Sequence, residues 1–237
     1  MDGGIILNEL EMLARKHNTD KQIGDGSIPE CHGYTDKYYE LFADHKFDYT
    51  DVLELGIWFG GSHKMWKEFF VNAEVYGVDN FSGLWHKYKT EQPELPEPEI
   101  AKIIEKHVDD LREFGVSVTV ADQMDKENLE NVFADIEFDF ICDDGGHGAW
   151  QQQISFGFLW DHLKPGGYYI IEDLGVADKR EFRQYDDPRS STTYWLASMD
   201  ALEPFSYYIL TEKLQEIQKE IEYIKILGEL GIIKKNG

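Results

Sequence analysis

Short apolar runs alternate with stretches of helical period along most of this chain. Asp51-Val-Leu-Glu-Leu55, Glu74-Val-Tyr-Gly-Val78, Val116–Val120, Phe138–Ile141 and Tyr168–Ile171 are brief and rich in β-branched and aromatic residues, as buried strands are. Between them His63–Val71, Glu99–Phe114, Lys126–Phe133 and Trp150–His162 read as helices; Ile100, Ile103, Ile104, Val108 and Leu111 show the spacing most clearly. Strand, glycine turn, helix, strand is the unit of a doubly wound α/β sheet with right-handed crossovers. Lys164-Pro-Gly-Gly167 reads as a break before the fifth strand, and Leu84–Pro98, with its prolines and glutamates, as an exposed loop. After a polar loop over Ala177–Ser191 and a helix over Thr192–Ala201, the pattern from residue 206 admits either one long helix or a helix ending near Lys219 followed by a hairpin. The hairpin, Ile221–Leu227 and Leu230–Lys234 about Gly228-Glu229, is the better reading, because two β-branched runs flank a tight turn. It completes a seven-stranded, mostly parallel sheet. Ahead of the first strand, helices are expected over Ile5–Lys16 and Thr35–Ala43, with a loop through Gly24, Gly26, Pro29 and Gly33 between them.

The polar residues that matter stand where the strands end, which is where open α/β sheets place their ligands. A dinucleotide fingerprint would put glycine at position 54; this chain has Glu54, then Gly56 and Gly60-Gly61. An acid there repels a diphosphate and suits a ligand with a positively charged amino-acid end. Asp79 ends the second strand, where a carboxylate can accept ribose hydroxyls, and Asp122-Gln123 ends the third, where a polar pair can meet a base edge. Taken singly, Asp79 reads equally well as a turn or cap residue. Three ligand-type residues at three consecutive strand ends point together to a nucleoside.

The fourth and fifth strands end in Asp143-Asp144 and Glu172-Asp173, with His147 following two glycines. Crowded carboxylates repel, and a cation relieves them; an all-oxygen set suits Mg²⁺ or a similar hard ion better than zinc. At least one of the four is expected not to ligate, since neighbours in extended backbone face opposite ways. His147 is open to three roles: ligand, base, or cap of the following helix. A base is the most economical, because an ordinary imidazole titrates near neutrality.

Composition narrows the partners. With 46 acidic and 23 basic residues the net charge is −23, which argues against nucleic acid and against an anionic membrane surface. Cys31 and Cys142 make no disulfide framework, Met1-Asp-Gly-Gly lacks the features of a signal peptide, and no apolar run is long enough to span a bilayer. A cytoplasmic protein is expected.

Thr19-Asp-Lys21, His32-Gly-Tyr34, Val52-Leu-Glu-Leu-Gly56 with Gly60-Gly-Ser62, Tyr76-Gly-Val-Asp79, Asp122-Gln123, Asp143-Asp-Gly-Gly-His147, Leu163-Lys-Pro-Gly-Gly167 and Ile171-Glu-Asp173 occur in one order. In this the chain resembles the metal-dependent O-methyltransferases that modify deoxysugars of macrolide antibiotics, of the macrocin and mycinamicin type, and a similar cephalosporin-hydroxylase-like group. The resemblance covers roughly residues 18–173. It implies a class I methyltransferase domain over residues 1–237, with residues 1–47 as an N-terminal helical lid. It implies Mg²⁺ on Asp144, Glu172 and Asp173, His147 as proton acceptor, and S-adenosylmethionine against Thr19, Asp20, Lys21, Glu54, Gly56, Gly60, Ser62, Asp79, Asp122, Gln123 and Asp143. Two departures stand out: Gly146 replaces a serine, and the antibiotic enzymes have longer N-terminal regions. The acceptor is expected to be a sugar hydroxyl or a related small polar molecule, with oligomeric state left open. The alternatives are a phosphoryl or phosphoramidate acceptor, for which Lys179, Arg180, Arg183 and Arg189 are available, and a metal-dependent hydrolase on the same scaffold.

Overall fold

A computed structural model describes residues 7–24 and 31–237. The expected helix start at Ile5, and the loop residues Gly26 and Pro29, lie outside the described residues. The strands are β1 (Asp51–Leu55), β2 (Glu74–Asp79), β3 (Val116–Val120), β4 (Phe138–Asp143), β5 (Leu163–Ile171), β6 (Ile221–Leu227) and β7 (Leu230–Lys235). They form one seven-stranded sheet in the order β3-β2-β1-β4-β5-β7-β6. The first helices are α1 (Glu9–His17), α2 (Thr35–Phe42), α3 (Gly61–Phe69), α4 (Ser82–Glu91) and α5 (Glu97–Phe114). They are followed by α6 (Lys126–Val132), α7 (Ala149–Leu159), α8 (Leu174–Ala177), α9 (Thr192–Asp200) and α10 (Thr211–Glu220).

Two expectations are corrected. The segment expected as a loop over Leu84–Pro98 contains most of α4. Leu84 is the one residue α4 buries, so no apolar stripe announced it, and the prolines fall at boundaries: Pro93 follows the helix, Pro96 caps α5 and Pro98 sits in its first turn. Lys164-Pro-Gly-Gly167 does not precede β5 but lies within it, as a bulge that shifts the register against β4 between Phe138 and Phe140. The terminal hairpin forms as expected: β6 and β7 are antiparallel, Gly228 takes a positive φ of 65° at the turn, and β7 pairs antiparallel with β5.

The chain divides into two compact units. The first comprises residues 1–50, 57–77 and 81–118. Its core is aromatic: Tyr38, Phe42, Trp66, Phe69 and Phe70 are fully buried, and Tyr38 meets Trp66 edge to face at 5.1 Å. α1 is set by its cap, Asn8 accepting from the Glu11 amide, and fully buried Glu11 accepts the Thr35 hydroxyl at 2.6 Å and the Ile23 amide at 2.9 Å.

The second unit comprises residues 51–56, 78–80 and 119–237. β1 runs parallel to β4, with Leu55 beside Asp143, and β4 parallel to β5, with Asp143 beside Ile171. The ends of β1, β4 and β5 are therefore level, and the order reverses between β1 and β4, the switch point where such sheets bind ligands. The neighbouring strand ends are tied in by the Gly56 amide donating to Val78 O at 2.8 Å and the Ala121 amide to Asp79 O at 3.1 Å. Gly56 has φ +86°, and a Cβ there would collide with the carbonyl oxygen of Asp144. Only glycine meets both demands. Gly56→Ala is expected to cost at least about 2 kcal/mol of stability in chemical denaturation, through strain and collision together; a loss below about 0.5 kcal/mol would contradict this packing.

Candidate active site

Asp143, the last residue of β4, is wholly buried. Its Oδ2 accepts from Ser155 Oγ at 2.6 Å and Tyr169 OH at 3.1 Å, and its Oδ1 from Gln123 Nε2 at 3.2 Å. Burial pushes its carboxyl up to about 6, against the pull of those three donors, which favour the ionised form. Gln123 works at both ends, since its Oε1 accepts the Gly146 amide at 2.5 Å. It therefore straps the Gly145-Gly146 turn to the end of β4. The glycines leave room for two glutamine side chains: a Cβ on Gly145 would displace Gln123 from its bonds, and one on Gly146 would displace Gln151, whose Oε1 accepts the Gly148 amide at 3.2 Å. Gln151 occupies the room that the serine expected at position 146 would need.

Beyond the strap the site residues converge. A donor atom from each of Asp144, His147 and Asp173 lies within 4.8 Å of the others, with His147 Nε2 3.7 Å from Asp173 Oδ2. His147 Nδ1 is buried and has no hydrogen-bond partner among the described residues. The structure thus joins two of the three expected metal ligands to the expected base. A divalent ion between the two carboxylates would answer their mutual repulsion, with the imidazole beside it. The third expected ligand, Glu172, is buried, and the Cys142 thiol donates to its Oε1 at 3.3 Å. Glu54 is fully buried in β1, with Cys142 as its register partner on β4. Asp79 ends β2, and Asp122 accepts from Asn80 Nδ2 at 3.2 Å and from the Met124 amide at 2.9 Å.

Thr19, Asp20, Lys21, Gly60 and Ser62 belong to the first unit. There the Thr19 loop and the glycine turn are neighbours, a Cβ on Gly61 coming within 3.3 Å of Thr19 Cα. Thr19, Lys21 and Ser62 are buried, Asp20 is exposed, and Gly60 caps α3 with φ +68°.

Sequence reasoning missed Ser155 and Tyr169, the partners of Asp143, and Gln152, whose Nε2 donates to Glu172 O at 3.2 Å. The available signal was three glutamines and a serine in the first two turns of a helix otherwise apolar enough to be buried.

This sheet order, with acids at the ends of β1, β2, β4 and β5, is that of an open doubly wound α/β domain with its polar residues at the edge where such sheets bind ligands. No protein-family model matches the chain. It is homologous to known O-methyltransferases. It is 31% identical over 180 residues to mycinamicin VI 2''-O-methyltransferase of Micromonospora griseorubida, an alignment covering 72% of this chain and 39% of that protein. With demethylmacrocin O-methyltransferase of Streptomyces fradiae it is 32% identical over 192 residues, 77% of this chain and 40% of the relative. The chain thus spans about two fifths of the length of these relatives. The same fold is found in a methyltransferase of the mycinamycin pathway solved with Mg, SAH and mycinamycin VI, at a TM-score of 0.70 and 24% identity over 97% of this chain and 55% of that one.

Ser155→Ala removes the shortest donor to a fully buried carboxylate. Unfolding at neutral pH should register a loss of about 1.5–3 kcal/mol. Stability within about 0.5 kcal/mol of the wild type would mean that Asp143 does not depend on this bond.

Proposed function

We propose that this domain transfers a methyl group from S-adenosylmethionine to a hydroxyl of a sugar or a related small polar acceptor, with Asp144, Glu172 and Asp173 holding a divalent cation such as Mg²⁺. The observation that carries the reading is the convergence of Asp144, His147 and Asp173 within 4.8 Å. They lie at the strand ends that also carry Glu54 and Asp79. A cation held there would supply Lewis acidity toward the acceptor hydroxyl and help orient it. Glu54 would answer the ammonium of the cofactor's methionine end, and Asp79 its ribose hydroxyls. Gln123 and Asp143 contribute by fixing the turn that carries Asp144 and His147. The roles of Thr19, Asp20, Lys21, Gly60 and Ser62, and the lid role of residues 1–47, rest on the family resemblance alone.

S-adenosylmethionine, when bound, would supply the methyl group to the acceptor oxygen, and the electron pair of the broken carbon–sulfur bond would leave on the sulfur of S-adenosylhomocysteine. The hydroxyl proton passes to His147. With Nδ1 buried, the accepting atom is Nε2, and Asp173 at 3.7 Å stabilises the imidazolium that forms. Proximity of two bound reactants can supply up to roughly 7–11 kcal/mol toward the barrier.

A phosphorylated acceptor has less support. Arg180 is paired with Asp186 at 2.7 Å and Arg189 with Asp187 at 2.7 Å, so the charge of both is already answered within their own loop. A hydrolase would have no use for a nucleoside thioether, which makes calorimetry with S-adenosylhomocysteine the discriminating test. Wild-type protein should bind it, Glu54→Gln should weaken binding at least tenfold, and absence of wild-type binding would remove the methyltransferase reading.

His147→Ala should keep cofactor binding and lose about 10²–10⁴-fold in methyl transfer from labelled S-adenosylmethionine to a panel of deoxysugar glycosides. EDTA should abolish that transfer and Mg²⁺ restore it. Near-full activity in the variant would discard the base assignment, and indifference to EDTA would discard the metal.

A further inference from the structure

Asp173, two residues past the end of β5, takes a left-handed backbone conformation, φ +57° and ψ +41°. A residue with a Cβ keeps that conformation only where the peptides on both sides are held. On its C-terminal side the Leu174 amide donates to Glu229 O at 3.1 Å, and the Asp173 carbonyl accepts the Val176 amide at 2.9 Å. On its N-terminal side the Glu172 amide donates to Asp143 O at 3.0 Å. That leaves the carbonyl of the Glu172–Asp173 peptide, whose plane sets φ of Asp173. It accepts Gln152 Nε2 at 3.2 Å, from a side chain only 1% exposed. The amide orientation is fixed chemically, since a carbonyl can only accept and the nitrogen must face it.

Gln152 stands on α7, which begins two residues after His147. One side chain therefore links the helix that follows the His147 turn to the peptide that aims Asp173. Its neighbour Gln153 is equally buried but serves a different segment, donating to Ser190 O at 3.3 Å and accepting Ser206 Oγ at 2.7 Å.

We propose that Gln152 is a positioning residue of the cation site: by holding the Glu172–Asp173 peptide it keeps Asp173 in its left-handed conformation, with its carboxylate toward Asp144 and His147. The inference rests on the reading of that cluster as a metal site. Loss of the Gln152 N–H removes that hold on the peptide, lets Asp173 relax toward the right-handed region, and withdraws one ligand from the cluster.

The test is Mn²⁺ binding to the full chain with S-adenosylhomocysteine present, followed by calorimetry and by the Mn²⁺ paramagnetic signal. Gln152→Met keeps the length and bulk of the side chain and removes both polar atoms. Mn²⁺ affinity should fall about ten- to hundredfold, the size of effect seen when a hydrogen-bonded support of a metal ligand is lost. Affinity for S-adenosylhomocysteine should stay within about twofold, and Gln153→Met should leave Mn²⁺ binding unchanged. Gln152→Ala, which cannot overfill the site, gives the same reading if the methionine variant does not fold. Mn²⁺ affinity within twofold of wild type in a folded Gln152 variant overturns the proposal, as does an equal loss in Gln153→Met. Failure of the wild type to bind Mn²⁺ would instead overturn the metal reading and this inference with it.

Discussion

Repulsion among carboxylates is the constraint around which the business end of this sheet is built. Parallel registry brings the ends of β1, β4 and β5 level, and the sequence places Glu54, Asp143, Asp144, Glu172 and Asp173 there. All but the half-buried Asp144 are buried, where water screens little, so such a cluster needs other remedies. Asp143 finds one inside the protein, in three side-chain donors and a raised pKa that eases its protonation. Asp144 and Asp173 face His147 and one another, an arrangement that gains most from a shared cation.

The supporting structure follows from that division. Glycine at position 56 lets the β1 turn lie against the Asp144 backbone, and glycines 145 and 146 give way to Gln123 and Gln151. Amide side chains then do the fastening, because each can donate and accept at once. Gln123 ties β4 to its turn, and Gln152 ties α7 to the end of β5. These bonds fasten the turn that carries His147 and the peptide before Asp173.

Much of this was legible in the sequence. The strands were announced by short β-branched runs, and the terminal hairpin by Gly228-Glu229 between two of them. The strand-end acids and His147 could be picked out because residue type and position agreed. What escaped had a physical reason. α4 buries too little to leave a stripe, and its bounding prolines imitate a loop. The Pro-Gly-Gly run carries ordinary break chemistry, yet the sheet absorbs it as a bulge. Ser155 and Tyr169 meet Asp143 from 12 and 26 residues away, so their role is a product of packing rather than of any local motif. Gln123, picked out as a residue able to meet a base edge, also carries bonds at both ends within the protein, which its strand-end position did not announce.

The division of the acids can be seen directly. Crystals grown with Mn²⁺ and S-adenosylhomocysteine and measured at the manganese absorption edge would locate the ion by anomalous scattering. The predicted result is a single strong peak among the Asp144, Glu172 and Asp173 carboxylates, beside His147, with Asp143 still bonded to Ser155 and Tyr169. A bound nucleoside with no peak at that position, or with the ion on Asp143, would contradict it.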